Sequence, residues 1–299
     1  MNFEDFSPEN IDLRAIKVEE AFGAQANAYF AQFETEDFTE SDVDFFADKK
    51  VEWFDVKSDV LGGMTPREYI AENWGEKPDF DVAVTLVKPF FFDDNYDVPK
   101  ELADLIKSFP EFIAWAADFI EMLKTSAGKG DYILPTSAFY ALLAGNDDEI
   151  LIKKTIELLD LLEYNENNEI VFDSAAFFLA LSESGIKAMT EKSNSEVPSD
   201  KTFTLLSNAA SSEYKSDGLY VAIRSFCKRA TGKFTPDCYY LFLDYGDSRA
   251  VSFLRTQAKK YHDEWLESAQ TGNADEIYRK FRTVVSIIEE LGGNTEDFC

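Results

Sequence analysis

Few residues in this chain combine a reactive type with the spacing that chemistry requires. His262 is the sole histidine and stands in a highly charged stretch, which favours a surface position over a role as catalytic base. Cys227, Cys238 and Cys299 form no C-x-x-C pair, and their odd number suits reduced thiols rather than a disulfide framework. Since zinc and iron are normally held by imidazole and thiolate, the sequence predicts neither such a metal nor another cofactor.

Two short motifs approach known ligand-binding loops, but each lacks a residue that its loop needs. Residues 93–97 offer oxygen ligands at alternate positions, as a calcium loop does, yet the sixth position is Val98 instead of glycine. Residues 126–131 contain Gly-Lys without the earlier glycine and the Ser or Thr of a phosphate-binding loop. The first is predicted to be a solvated acidic turn and the second a helix end. Paired carboxylates are not diagnostic in a chain with 57 acidic residues, so an enzyme is the less favoured class.

Basic side chains gather at helical spacing in the last third of the chain, with tyrosines between them. Arg224 and Lys228 are four residues apart, as are Arg255 and Lys259, so each pair lies on one face of a helix. The candidate partner-binding residues are Arg224, Lys228, Arg229, Arg249, Arg255 and Lys259. The alternative is a solvated helical surface whose basic residues are balanced by nearby acidic ones.

The charge of the chain is negative and unevenly distributed. The formal net charge is −28, and it divides into −15 over residues 1–100, −12 over residues 101–200 and −1 over residues 201–299. A negative field repels phosphates and attracts cations, so the charge disfavours duplex nucleic acid as a partner and favours a basic protein surface. With 45% hydrophobic and 15% aromatic residues, the chain is too apolar for a disordered acidic tail.

The elements that position these residues are predicted to be helices. Apolar residues recur every three or four positions through most of the chain, and Thr65-Pro66-Arg67-Glu68 has the pattern of a capping box. Apolar residues alternate along residues 81–87 and several of them are β-branched, which is typical of a strand. Because a short apolar run also fits a helix, strand and helix both remain possible there. Polar residues at 193–200 suggest a linker, and a weaker boundary near residue 97 separates an acidic helical region, 1–97, from a helical domain, 98–299.

The chain has no apolar stretch long enough to span a bilayer, which takes roughly 20 residues. Its first residues are acidic, where a secretory signal would be basic and then apolar. We therefore expect a cytoplasmic protein without membrane attachment.

Two segments align without a gap at an offset of 101 residues. Residues 135–146 and 236–247 share a proline, an aromatic residue, a leucine and a glycine, Gly145 in one and Gly246 in the other. The shared unit is a helix opened by proline and ended by a left-handed glycine, followed at once by an antiparallel helix capped by Asn146 or Asp247. Either an internal repeat or chance similarity between two helical hairpins explains the alignment.

Residues 245–254, Tyr-Gly-Asp-Ser-Arg-Ala-Val-Ser-Phe-Leu, resemble the turn and second-helix start of a HEAT repeat of the bacterial lyase-like type. That pattern runs Gly-Asp-Pro-Arg-Ala-Val, and Ser248 replaces its proline here. The resemblance covers about a tenth of the chain. It implies a stack of antiparallel helix pairs that functions through exposed surfaces, with Asp247 capping its helix and with Ala250 and Val251 facing a neighbouring unit.

Together these features predict an all-α protein, a short α-solenoid of HEAT-like antiparallel helix pairs preceded by an acidic helical region. The favoured function is a non-catalytic scaffold or adaptor that binds another protein, a basic one by the charge argument. The alternative is a helical-repeat enzyme or nucleic-acid-processing module that uses the carboxyl-terminal basic helices.

Overall fold

The computed structural model describes residues 8–31, 53–92, 96–127, 137–165, 168–231, 234–268 and 274–298. These residues form fourteen α-helices and several short 3₁₀-helices and contain no β-strand, which confirms the all-α prediction. An isolated bridge pairs Ser58 with Met64. The chain separates into two compact units, Met1–Ala175 and Ala176–Cys299. The division predicted at residue 97 lies inside the first unit.

The first unit contains α1 to α7 and the beginning of α8. The helices are α1 (Leu13–Phe30), α2 (Pro66–Trp74), α3 (Phe80–Val87), α4 (Lys100–Lys107), α5 (Phe112–Ala127), α6 (Ser137–Leu143), α7 (Glu149–Leu161) and α8 (Glu169–Ala180). Its core contains an aromatic cluster that joins α5, α6 and the 3₁₀-helix Pro89–Phe92. Phe119 and Phe139 have ring centroids 4.4 Å apart, and Phe91 meets Phe139 edge-on at 5.6 Å.

Local signals explain where the helices of this unit begin. Thr65 and Glu68 form the predicted capping box: Glu68 N donates to Thr65 Oγ1 at 3.1 Å, and Thr65 N donates to Glu68 Oε2 at 2.9 Å. Residues 81–87, where strand and helix were both open, belong to α3. Its first turn is capped by Asp79, whose carboxylate accepts the N–H of Val82 at 3.0 Å. Its buried residues, Ala83, Leu86 and Val87, have helical spacing, so burial selects the helix.

The second unit contains the end of α8 and six further helices. They are α9 (Glu183–Ser195), α10 (Asp200–Ser211), α11 (Asp217–Arg229), α12 (Tyr240–Tyr245), α13 (Ala250–Ser268) and α14 (Ala274–Glu290). The linker candidate, residues 193–200, comprises the end of α9, a connection of residues 196–199 and the first residue of α10. Ser199 there accepts the N–H of Thr202 at 3.2 Å and caps α10. Polar composition at this place therefore reflects helix ends within one unit.

The two aligned hairpins have the predicted glycine geometry. Gly145 and Gly246 both adopt left-handed backbone conformations, with φ of +80° and +73°. Asp247 accepts the N–H of Arg249 at 2.8 Å just before α13. In the first hairpin the cap is Asp148, which accepts from Ile150 N at 2.9 Å, and Asn146 instead donates to the carbonyl of Leu143. The predicted cap is thus confirmed for Asp247 and corrected for Asn146.

Replacing Gly246 with Val is expected to destabilise the protein by roughly 2 kcal/mol. A left-handed conformation costs an L-residue about 1–2 kcal/mol, and a β-branched side chain suffers most. Urea midpoints followed by circular dichroism measure the change. Gly246→Asn is the matched control and should lose much less, since asparagine tolerates this conformation. Coincident midpoints for Gly246→Val and the wild type would show that the glycine does not hold the turn.

Among the helices in the described ranges, none is both long enough and apolar enough to cross a membrane.

Candidate functional site

A pocket of about 460 Å³ lies in the second unit, between one face of α11 and the beginning of α13. Tyr220, Arg224 and Lys228 line it from α11 at intervals of four residues, so they share one face of that helix. The opposite face of α11 buries Leu219, Ala222, Ile223, Phe226 and Cys227 in the core. The other lining residues are Arg249, Ser252, Phe253, Thr256 and Gln257.

The lining of this pocket contains three cationic side chains and no carboxylate. Arg224, Lys228 and Arg249 are all exposed, and they lie together in a chain with 57 acidic and 29 basic residues. Such a local excess of positive charge attracts anions even though the whole molecule repels them. The arrangement therefore favours an anionic ligand or an anionic group of a partner.

Arg249 is held in place by two carboxylates. Its Nη1 donates to Asp217 Oδ1 at 2.8 Å, and its Nε donates to Asp247 Oδ2 at 2.6 Å. Its guanidinium also lies over the ring of Tyr220, 4.9 Å from the centroid. The hydrogen bonds with Asp217 and then Asp247 raise the pKa of Arg249 above its ordinary value. The two carboxylates thus hold the side chain of Arg249 in position and balance most of its charge.

Arg224 and Lys228 differ from Arg249 because neither has an acidic partner within the described residues. The guanidinium of Arg224 lies over the ring of Phe253, 5.5 Å from the centroid. Neither side chain donates a hydrogen bond to the part of the chain that the structure describes. A ligand can therefore accept hydrogen bonds from their N–H groups without breaking an ion pair within the protein.

A buried tyrosine pair contacts Gln257, one of the residues that line the pocket. Tyr239 donates its hydroxyl hydrogen to Gln257 Oε1 at 3.3 Å, and the hydroxyls of Tyr239 and Tyr261 are 3.1 Å apart. Burial raises the pKa of both tyrosines, so they stay neutral at physiological pH. Gln257, whose side-chain oxygen accepts the hydrogen bond from Tyr239, is one of the residues that line the pocket. Thr256 donates to the carbonyl of Ser252 at 3.1 Å.

Three of the six predicted binding residues meet in this pocket, and three do not. Arg229 donates to the carbonyl of Glu196 at 2.6 Å. Arg255 binds the carbonyl of Asn294 and the carboxylate of Asp297. Lys259 is exposed but lies outside the lining. Arg229 and Arg255 therefore connect parts of the second unit to one another. A partner-binding role for Arg229, Arg255 and Lys259 stays a prediction.

Four residues of the lining were not predicted from the sequence: Ser252, Phe253, Thr256 and Gln257. A signal for two of them was present, since Arg249, Phe253 and Gln257 repeat the four-residue interval of Tyr220, Arg224 and Lys228. Each interval defines one face of a helix, in α11 and in α13. Only the tertiary fold shows that these two faces line the same pocket.

The other candidate residues occupy unrelated positions. His262 is half-buried, contacts the rings of Trp265 and Phe281, and has its Nδ1 3.8 Å from a carboxylate oxygen of Asp263. Cys227 and Cys238 are free and buried, and the thiol of Cys227 donates to the carbonyl of Cys238 at 3.1 Å. Residues 93–95, residues 128–131 and Cys299 lie outside the described residues. Within the described ranges, no three His, Cys, Asp or Glu side chains are grouped as a metal site.

Comparison of the chain with protein-family models, with curated proteins and with solved structures gives no match.

Proposed function

We propose that this protein is a non-catalytic adaptor that binds another protein, and that the pocket of Arg224, Lys228 and Arg249 receives an anionic group of that partner. The observation that supports the proposal is the convergence of three cations, without a carboxylate in the lining, in a chain of net charge −28. Two of those cations have no internal partner within the described residues. An unpaired cation at an interface makes the protein prefer a partner that places an anionic group opposite it.

The chemistry of the lining supports binding rather than catalysis. General acid–base or nucleophilic catalysis needs a group that accepts a proton beside the reacting atom, most often histidine or a carboxylate. The eight lining residues include no histidine, carboxylate or cysteine. The cations of the lining can hold and orient an anion.

The size of the charged area supports a single anionic group rather than a duplex nucleic acid. A duplex carries one negative charge per roughly 1.7 Å of its axis, so its binding requires a long row of Lys and Arg. Here three cations, Arg224, Lys228 and Arg249, line one pocket beside the carboxylates of Asp217 and Asp247. Nucleic acid remains the alternative from the sequence, and duplex binding distinguishes it from a protein partner.

A HEAT-like α-solenoid is part of the proposal. It is supported by the succession of short-linked helices in the second unit and by the Gly246 and Asp247 geometry before α13. Ala250, which the resemblance places against a neighbouring unit, is fully buried. The prediction of a basic partner applies to the acidic residues 1–200 and stays a prediction. We also propose a cytoplasmic location, because the free thiols of Cys227 and Cys238 suit a reducing compartment.

The test compares the proteins captured from a lysate of the native cell by three forms of the full chain: the wild type, Arg224→Glu/Lys228→Glu and Arg279→Glu/Arg282→Glu. The last is the matched control, because it changes the net charge equally at exposed residues of α14 outside the pocket. We expect mass spectrometry to find at least one protein that the wild type and the control retain and the pocket variant loses by about tenfold or more, equivalent to about 1.4 kcal/mol.

Identical captured sets for all three forms would contradict the proposal. The same forms should then be tested against a random DNA duplex at low salt. Micromolar duplex binding that the pocket variant alone loses would favour the nucleic-acid alternative instead.

A further inference from the structure

We propose, on the basis of the proposed function, that the anionic group received by the pocket is a phosphate monoester on a side chain of the partner protein. The pocket of Arg224, Lys228 and Arg249 would then discriminate a phosphorylated form of the partner from the unmodified one. Four features of the pocket favour a phosphate monoester over a carboxylate or a polyphosphate: its unpaired charge, its donors, its acidic margin and its volume.

The first feature is the match between the unpaired cations and the charge of a phosphate monoester. Arg224 and Lys228 together supply two positive charges without internal ion pairs among the described residues, whereas Arg249 is already paired with Asp217 and Asp247. A phosphate monoester carries about −1.5 to −2 at pH 7 and a carboxylate −1. A carboxylate would leave one of the two cations without a counter-charge.

The second feature is the number and placement of hydrogen-bond donors. The guanidinium of Arg224 and the ammonium of Lys228 lie on α11, and the amide of Gln257 and the hydroxyl of Ser252 lie on α13. The lining thus contains donor-bearing side chains from two helices. A phosphate monoester has three terminal oxygens that accept from several directions, whereas a carboxylate has two oxygens in one plane.

The third feature is an acidic margin that limits the charge of the ligand. The carboxylates of Asp217 and Asp247 lie 2.8 Å and 2.6 Å from nitrogens of Arg249, at one side of the pocket. The side chain of Asp217 is 85% exposed, so it acts on any ligand that extends past Arg249. A second phosphate placed there would be repelled, which disfavours polyphosphates and nucleic acid and leaves a single phosphate acceptable.

The fourth feature is a volume larger than a phosphate group requires. At about 460 Å³ the pocket falls within the range of about 300–1,000 Å³ that organic ligands occupy. Tyr220 and Phe253 supply apolar walls beside the cations. The remaining space therefore suits the carbon group that bears the phosphate, as a phosphorylated side chain would provide.

The experiment titrates the ¹⁵N-labelled full chain with phenyl phosphate, with benzoate and with inorganic phosphate, and follows the side-chain N–H signals of Arg and Gln by NMR. We expect phenyl phosphate to shift Arg224 and Gln257 and to bind at least about tenfold more tightly than either other probe. Arg224→Glu/Lys228→Glu should abolish the binding, and Arg279→Glu/Arg282→Glu should keep it. Because the second phosphate pKa is about 6, binding should weaken as the pH falls from 7 to 5.

Benzoate binding as tight as that of phenyl phosphate, or absence of pocket shifts with phenyl phosphate, would overturn the phosphate inference. Inorganic phosphate binding as tightly as phenyl phosphate would overturn the assignment of the phosphate to a side chain. These titrations do not test the adaptor function, which is tested by whether capture of a partner from the lysate requires Arg224 and Lys228. Unchanged capture by the pocket variant would refute the proposed function itself.

Discussion

Replacing Gly185 with Ala should destabilise the second unit by about 3 kcal/mol, far more than its one added methyl group suggests. Gly185 lies in the first turn of α9, where its N–H donates to Ser182 Oγ at 3.0 Å. A Cβ at this position would lie 2.1 Å from the carbonyl oxygen of Leu179 and 2.8 Å from its carbonyl carbon. Both are backbone atoms, so no rotamer change relieves the overlap and the turn between α8 and α9 must open.

Gly218→Ala is the matched control for this substitution. Gly218 also lies in the first turn of a helix, α11, but its Cβ would be 3.8 Å from the nearest atoms, an ordinary contact. Alanine has the higher helix propensity by up to about 1 kcal/mol, so this variant should equal or exceed the wild type in stability. Urea unfolding followed by circular dichroism measures both. A Gly185→Ala midpoint equal to that of the wild type would refute the close contact with Leu179.

Truncating Phe139 to Ala should destabilise the first unit by about 3–5 kcal/mol, the range for a large aromatic residue lost from a core. Phe139 is fully buried on α6, with ring centroids 4.4 Å from Phe119, 5.6 Å from Phe91 and 6.2 Å from Trp115. Its removal would leave a cavity where α5, α6 and the 3₁₀-helix Pro89–Phe92 meet. Thermal and urea unfolding of the full chain measure the loss.

Phe177→Ala is the control for the aromatic cluster, because Phe177 is 54% exposed. Its truncation removes much less buried area than that of Phe139 and should lower the free energy of unfolding by no more than about 1 kcal/mol. If Phe139→Ala were as mild as Phe177→Ala, the cluster around Phe119 would not be part of the core of this unit.

Much of the helical architecture could be predicted from sequence because its signals are local. The capping box at Thr65 and Glu68 and the left-handed turn at Gly246 depend on residues within four positions of one another. Residues 81–87 were ambiguous because a short apolar run fits strand and helix equally well. Burial of Ala83, Leu86 and Val87 against the rest of the first unit decides the matter, and that burial is a tertiary effect.

The candidate site was partly predictable for the same reason. The four-residue interval places Arg224 and Lys228 on one face, but sequence does not show that Arg249, 21 positions after Lys228, joins them. It also cannot show that Arg229 is engaged by the carbonyl of Glu196, since any residue presents a carbonyl. Likewise, the close approach of Gly185 to Leu179 has no signature in the residue types. Long-range backbone contacts are the information that sequence patterns lack.

Hydrogen–deuterium exchange of the full chain, alone and in complex with the protein captured from the lysate, tests the proposed adaptor function most directly. We predict slowed exchange in α11 and at the beginning of α13, the two elements that carry Arg224, Lys228, Arg249 and Gln257. Protection confined to the acidic first unit, as a basic partner bound there would produce, would contradict the assignment of partner binding to the pocket.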